Sequence, residues 1–292
     1  MRAEIPHSLK LQPAGSGKWR GRCPCCGYAT DSFVRTERRG RPPLVRCFAG
    51  CEQADLIAAL RRLGLWPDRE ERDLSRRPRM HLPHESGAFS AAEAERIDQA
   101  LAIWRRTLPA EQSPVAIYFQ ARAIGTGIPD VVRFLPEARH PSGLRVPAMV
   151  ALVEHVRHGR IGVHRTFLQP DGAGKAAVDP VRMTLGPCKG AAVRLAPAGP
   201  VLAVGEGLES SLSYMEGSGI PTWCALSADG IRNLVLPPAV RTVVIAADPD
   251  PVGLIAVRAA ARRWLGENRR VRIARPPIGL DFNDIATEAE WR

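Results

Sequence analysis

Two carboxylates one residue apart, Asp248 and Asp250 in the stretch VVIAADPDPVG, follow directly on a continuous apolar run. A third, Glu206, follows another such run in GPVLAVGEG. Unbroken apolar runs of this length fit strands covered on both faces, as in a parallel sheet. Open parallel sheets gather their functional groups at the carboxyl ends of the strands, so the three acids are expected on one rim. Carboxylates crowded there raise one another's pKa unless a cation sits between them, and hard oxygen donors of this kind select Mg2+ or Mn2+ over Zn2+. In Asp-x-Asp the alternate side chains can face one ion, with Pro249 and Pro251 stiffening the backbone around them. A lone D-P-D more often makes a turn and a helix cap. The strand-end Glu206-Gly207 upstream favours a catalytic metal held by Glu206, Asp248 and Asp250.

A second chemistry lies near the N-terminus, where five of the seven cysteines fall between residues 23 and 51, in CPCCG and CFAGC. Cysteine pairs at C-x2-C and C-x3-C spacing in an intracellular chain point to metal rather than disulfides. Two such turns complete a tetrahedral Zn2+ site, for which Cys23, Cys26, Cys47 and Cys51 are the expected ligands. Cys25 could replace one of them, although the knuckle C-P-x-C-G favours Cys26. Four thiolates leave no open coordination position, so this metal is structural. DSFVRT and PLVRC read as the strands of a zinc-ribbon hairpin around ERRGRPP, and ADLIAALRRLGL as a helix stopped at Gly64. Arg35, Arg38, Arg39, Arg41 and Arg46 either hold phosphates or form a solvated rim. Trp19, Phe33 and Phe48 either stack bases or fill a small core.

The elements that must position these groups are spread over 292 residues, long enough for two compact domains and a small module. The formal charge of +11 is uneven: residues 1–80 carry a net +8, 81–200 a net +4 and 201–292 a net −1. Cations concentrated in this way attract polyanions, which makes nucleic acid the expected partner class. No apolar stretch approaches the roughly 18 residues of a membrane helix, and MRAEIPHSLK lacks a signal-peptide core, so a cytoplasmic location without membrane attachment is expected.

Residues 67–88, Pro-rich and charged without a period, read as a linker. Ser90 with Glu93 forms a capping box ahead of a helix whose apolar face is Ile97, Leu101, Trp104 and Leu108; Ser113-Pro114 opens another. VPAMVALVEHV and RIGVHRTFLQ, with a turn at His158 and Gly159, predict an antiparallel hairpin. Along and beyond it run Arg157, Arg160, Arg165, Lys175, Arg182, Lys189 and Arg194, without matching acids. These either track a nucleic acid backbone or guard an exposed edge. His155, His158 and His164 share no ligand spacing with a carboxylate or thiolate, and neither AGSGKW nor PDGAGKAA has phosphate-loop spacing. From residue 198 apolar runs alternate with helical segments, predicting a parallel α/β domain. The expected class is α/β: a zinc ribbon over 1–66, the linker 67–88, an α+β middle domain with antiparallel strands over 89–197, and a parallel α/β domain over 198–292.

GEGLESSLS followed by VVIAADPDPVG resembles the Toprim domain of bacterial-type primases, topoisomerases and related nucleases. CPCCG with CFAGC and a following helix resembles the zinc ribbon that heads such primases. GVHRTFLQPDG with VRMTLG and AVRLAP resembles the middle region of Toprim primase-like proteins of phages, plasmids and integrative elements. The resemblance implies a DNA primase, a nucleotidyltransferase making short primers on a single-stranded DNA template from NTPs. It implies Mg2+ or Mn2+ at Glu206, Asp248 and Asp250 and structural Zn2+ at the four cysteines. The chain ends at Arg292 without room for the helicase-binding domain of replicative primases, so any helicase is expected to be a separate partner or absent. Replicative primases carry an Asp four residues after the motif Glu, where this chain has Ser210; Glu209 either takes its place or faces solvent. Asp281 and Asp284 in LDFND resemble a further acidic pair for cofactor binding, or cap the final helix. Other readings are a Toprim nuclease, in which the metals direct water, and a non-catalytic single-stranded DNA-binding accessory. A topoisomerase would need a nucleophilic tyrosine and a large gate.

Overall fold

The computed structural model describes residues 9, 11–14, 17–26, 32–38, 41–48, 51, 53–66, 89–125, 127–247, 251–277 and 279–290. The chain divides into two compact units, Met1–Ala88 and Phe89–Arg292. In the first, β1 (Gln12–Pro13), β2 (Lys18–Gly21), β3 (Phe33–Arg38) and β4 (Arg41–Cys47) form an antiparallel sheet in that order, followed by α1 (Gln53–Arg62). The expected β3–β4 hairpin pairs Phe33 with Cys47 and Arg35 with Val45. Phe33 and Val45 are buried with Leu56, Ala59 and Leu60 of α1, so the helix covers the ribbon with its apolar stripe. It ends as its sequence predicts: Gly64 takes φ +65°, and the Leu65 amide donates to the Leu60 carbonyl at 2.8 Å. β1 and β2 extend the sheet beyond the expected hairpin. The linker, residues 67–88, lies outside the described residues.

The second unit opens with α2 (Ala91–Arg105) and α3 (Pro114–Gln120). The capping box forms: the Glu93 amide donates to Ser90 Oγ at 3.3 Å and the Ser90 amide to Glu93 Oε2 at 3.0 Å. Ser113 caps α3, accepting from the Val115 amide at 3.2 Å. Ile97, Leu101 and Trp104 lie half-buried on α2 as expected, but Leu108 does not share that face. The helix has ended at Arg105, and Leu108 pairs as an isolated bridge with Phe134. Pro109 supplies the reason, since the residue before a proline is disfavoured in helical conformation.

β5 (Val132–Arg139), β6 (Arg145–His155), β7 (Gly159–Phe167) and β8 (Arg182–Leu185) form a second antiparallel sheet. A third sheet has the order β13-β12-β10-β11-β9, from β9 (Val193–Arg194), β10 (Val201–Gly205), β11 (Thr222–Cys224), β12 (Thr242–Ala246) and β13 (Arg270–Ala274). Its strands are parallel except the edge strand β9, which runs antiparallel to β11. The intervening helices are α4 (Leu208–Ser218), α5 (Ala228–Asn233) and α6 (Pro251–Gly266), with α7 (Phe282–Glu290) last. Trp223, Val243 and Ile245 pack with Ile231 of α5 and Trp264 of α6. Leu208 and Leu212 of α4 instead join Tyr118, Phe119 and Met149 in one apolar cluster, so the parallel and antiparallel parts share a core. Glu154 of β6 and Ala192, just before β9, exchange amide–carbonyl bonds of 2.9 and 3.1 Å, which stitches the two sheets together. The expected class, α/β with antiparallel strands ahead of a parallel C-terminal sheet, is the observed one. No helix among the described residues is long and apolar enough to cross a membrane.

Candidate active site and zinc cluster

Cys23 and Cys26 come from the turn after β2, Cys47 from the end of β4 and Cys51 from the turn before α1. Their four sulfurs lie within 4.8 Å of one another, with Cys23–Cys51 at 3.8 Å and Cys26–Cys47 at 3.9 Å. A tetrahedral ion with Zn–S bonds of about 2.3 Å requires sulfurs about 3.8 Å apart. The cluster therefore fits zinc. Cys25 is exposed and outside the group, and its contribution is a backbone amide donated to Cys23 Sγ at 3.4 Å. Burial pushes the Cys23 thiol up to about 12, outweighing the Cys26 and Cys25 amides that lower it, with a smaller push from the Cys47 sulfur; burial and the neighbouring sulfurs raise Cys51 as well. Collecting thiolates here therefore needs a cation.

At the other site, β10 and β12 are adjacent parallel strands in register, with Gly205 opposite Ala246. Glu206 is the next residue after β10 and is half-buried; its carbonyl accepts from Cys224 Sγ at 3.2 Å. Asp248 and Asp250 lie outside the described residues, between Ala247 and the start of α6 at Pro251. The strand ends that lead into Glu206 and into the Asp-x-Asp are thus neighbours on one rim of the sheet. Gly205 is required by a close approach: a Cβ there would collide with Oγ of the fully buried Ser211 in α4.

Glu209, one turn further along, does not face solvent. It is 6% exposed, and its Oε1 accepts the Tyr118 hydroxyl at 2.7 Å and pairs with Lys175 Nζ at 3.0 Å. Burial alone would raise its pKa, but the Lys175 ammonium and the Tyr118 hydroxyl outweigh it and hold the carboxyl at about 2. Tyr118 is raised in turn, by burial and then by the Glu209 charge. Neither partner carries a local sequence signal for this role, for Tyr118 lies 91 residues away on α3 and Lys175 belongs to the loop after β7.

Asp281 and Asp284 form a reciprocal cap at the start of α7. Asp281 Oδ1 accepts from the Asn283 and Asp284 amides at 2.7 and 2.8 Å, and Asp284 Oδ2 accepts from the Asp281 amide at 2.7 Å. Between them, buried Asn283 donates to the Arg122 carbonyl at 2.6 Å and to Ser213 Oγ at 3.0 Å, tying α7 to α4. LDFND therefore serves as a cap and an anchor.

The expected strip of unmatched cations resolves into different environments. Lys175 is spent on Glu209, and Arg160 lies 3.9 Å from Glu154. Arg165 is buried and donates to the Arg139 carbonyl at 3.3 Å, and Arg194 stacks over Trp223. Arg157, Arg182 and Lys189 stay exposed. His164 donates to or accepts from Thr184 Oγ1 at 2.8 Å, and burial, then the charge of Arg182, lowers it to about 4. On the ribbon, Phe33 is core, whereas Phe48 is 52% exposed with the Arg46 guanidinium over its ring.

A four-cysteine antiparallel ribbon, joined in one chain to a parallel sheet with an acid at a central strand end, defines a zinc-ribbon protein with a Toprim-like C-terminal part. Residues 201–290 match the family model described as the Toprim domain, and residues 94–195 match one described as a domain of unknown function, DUF7146. No curated protein matches the chain. Among solved structures, the chain is similar to the zinc-binding and RNA polymerase domains of the Aquifex aeolicus primase, at 15% identity over 96% of this chain and 77% of that one, with a TM-score of 0.44. It is similar to the primase fragment of the bacteriophage T7 primase-helicase protein, at 15% identity over 92% and 95%, with a TM-score of 0.40. Similarity to a DnaG catalytic core has 18% identity and a TM-score of 0.37 and covers 48% of each chain, so this chain spans about half of that core.

Proposed function

We propose that this protein is a DNA primase, a nucleotidyltransferase that synthesises short primers on single-stranded DNA from NTPs. The observation that carries this reading is the adjacency of β10 and β12 in a Toprim-like sheet, which sets the strand ends before Glu206 and before Asp248 and Asp250 side by side. In this reading Glu206, Asp248 and Asp250 hold Mg2+ or Mn2+, hard oxygen donors for a hard cation. When bound, the metal supplies charge neutralisation at the α-phosphate and lowers the pKa of the attacking 3′-hydroxyl. Glu209 holds α4 in place behind Glu206 through Lys175 and Tyr118, rather than binding the ion itself.

The functional division follows the chain. The ribbon of residues 1–66, with structural Zn2+ on Cys23, Cys26, Cys47 and Cys51, grips the template through its arginines and the exposed ring of Phe48. Residues 67–88 link it to the middle domain, 89–197, whose exposed Arg157 and Arg182 contact the phosphate backbone. Residues 198–292 carry the acids.

Incubating the protein with single-stranded DNA, labelled NTPs and Mg2+ tests the proposal. New labelled oligonucleotides are expected, and Asp248→Asn or Asp250→Asn should abolish them with the fold intact. Shortened DNA would make the protein a nuclease, and a mobility shift without either product a binding accessory. Primer synthesis at the wild-type rate by both variants would overturn the site assignment.

A further inference from the structure

A cavity of about 350 Å³ opens beside the start of α2, lined by Phe89, Arg96, His155, His158, Cys188 and Lys189 among others. Glu206, Glu209, Asp281 and Asp284 are not among its lining residues. The volume lies at the small end of ligand sites, enough for one ring system with a short polar tail and too small for a length of nucleic acid.

Its walls combine two chemistries. Phe89 and His158 meet at a ring separation of 4.8 Å, and His158 stacks on His155 at 4.7 Å, which gives the cavity aromatic faces. Arg96 and Lys189 bring two exposed cations, and neither has an ion pair among the described residues. The acid at the rim, Glu93, is held at the helix cap, where its Oε2 accepts from both the amide and the hydroxyl of Ser90 at 3.0 and 2.7 Å, and it shares the field of Arg96, so the walls keep a net positive charge. His155 Nδ1 accepts from the Arg157 amide at 3.2 Å, which leaves the neutral ring with its proton on Nε2 as a further donor. Flat faces, two exposed cations against one acid, and a ring N–H donor suit a ligand that is aromatic at one end and anionic at the other.

We infer that this cavity is a binding site for a nucleoside monophosphate, its base against the Phe89 and His158 rings and its phosphate on Arg96 and Lys189. The site does not depend on the catalytic reading. Its location gives an occupant reach into the fold: His155 follows Glu154, and Cys188 and Lys189 lead to Ala192, so the cavity is built on the two segments that stitch the sheets together. Binding should therefore also raise the melting temperature of the Phe89–Arg292 unit.

Calorimetric titration of the full chain with adenosine monophosphate, in buffer without Mg2+, tests the inference, with inorganic phosphate and adenosine as the two halves of the probe. One site is expected. Arg96→Ala and Lys189→Ala should each weaken it roughly ten-fold, the loss of one charge-assisted hydrogen bond. Both side chains are exposed, so both variants should melt as the parent does. His158→Ala should weaken the nucleotide and leave phosphate unchanged. Asp248→Asn should bind as the parent does, which separates this cavity from the acidic rim. Failure of adenosine monophosphate to bind, phosphate binding as tightly as the nucleotide, or undiminished affinity in the Arg96→Ala, Lys189→Ala double variant would each overturn the assignment.

Discussion

The Tyr118 hydroxyl donates to Glu209 Oε1 at 2.7 Å, joining α3 to α4 across 91 residues of sequence. Lys175 reaches the same oxygen at 3.0 Å, so a buried carboxylate is held by one neutral and one charged donor. Three consequences for measurement start from such local arrangements, and a fourth from the zinc cluster.

Glu209 makes acid stability a direct readout. Its carboxyl sits near 2 in the fold against 4.5 for the free group. A depressed folded pKa contributes stability that is fully present above the unfolded value and lost as pH falls from about 4.5 towards 2; the shift corresponds to about 3 kcal/mol. Glu209→Gln should therefore be less stable than the parent at pH 7 by about this amount, with the gap closing below pH 4. Paired melts from pH 7 to pH 2 measure it, and a constant gap would contradict the pairing.

The cysteine cluster predicts a sharp contrast between neighbours. Cys26→Ser and Cys47→Ser should lose the bound zinc and unfold the ribbon, whereas Cys25→Ser should keep both, because only the Cys25 backbone faces the cluster. Metal content by atomic absorption together with circular dichroism decides this. Zinc loss in Cys25→Ser would move the ligand set.

Asp281 separates capping from metal binding. Asparagine retains an Oδ1 that can accept from the Asn283 and Asp284 amides, so Asp281→Asn should melt close to the parent, and Asp281→Ala should cost about 1 kcal/mol. Primer synthesis should follow the same order, with Asp281→Asn near the parent rate. A collapse of activity in the stable asparagine variant would make Asp281 a metal ligand.

Gly205→Ala should cost about 1–3 kcal/mol through overpacking against Ser211. Adding Ser211→Ala should recover most of that loss, since it removes the colliding oxygen. Chemical denaturation of the four-member cycle gives the coupling, and additive effects would deny the close approach.

Much of this could be read from the residues because local rules and long-range packing agree. The Ser90–Glu93 box, the cysteine knuckles, the Gly64 stop and the unbroken runs VLAV and VVIAA each carry their own signal, and each appears where expected. β1 and β2 were not legible, because strands of two and four residues are too short for a period and Trp19 is the one large apolar side chain between Lys18 and Gly21. β9 has two residues, too few for any period, and α5 has six. Glu209 was ambiguous since a carboxylate on a helix is ordinarily solvated. The absence of other charges from Gly207 to Met215, with small serines among the leucines, was the available clue that this stretch is buried. The rim itself was legible up to the ends of its strands; Asp248 and Asp250 lie beyond the described residues.

The two-residue strand β9 has a consequence for anyone dividing the chain. Severing it between residues 197 and 198 would strip β11 of its outer neighbour and uncover a row of unsatisfied amides and carbonyls on a three-residue strand. An excised C-terminal fragment would then invite intermolecular pairing and precipitate, whereas one beginning at Phe89 would travel intact. Chimaeras that exchange the C-terminal parallel sheet between such proteins should carry the preceding antiparallel sheet along as a single cassette.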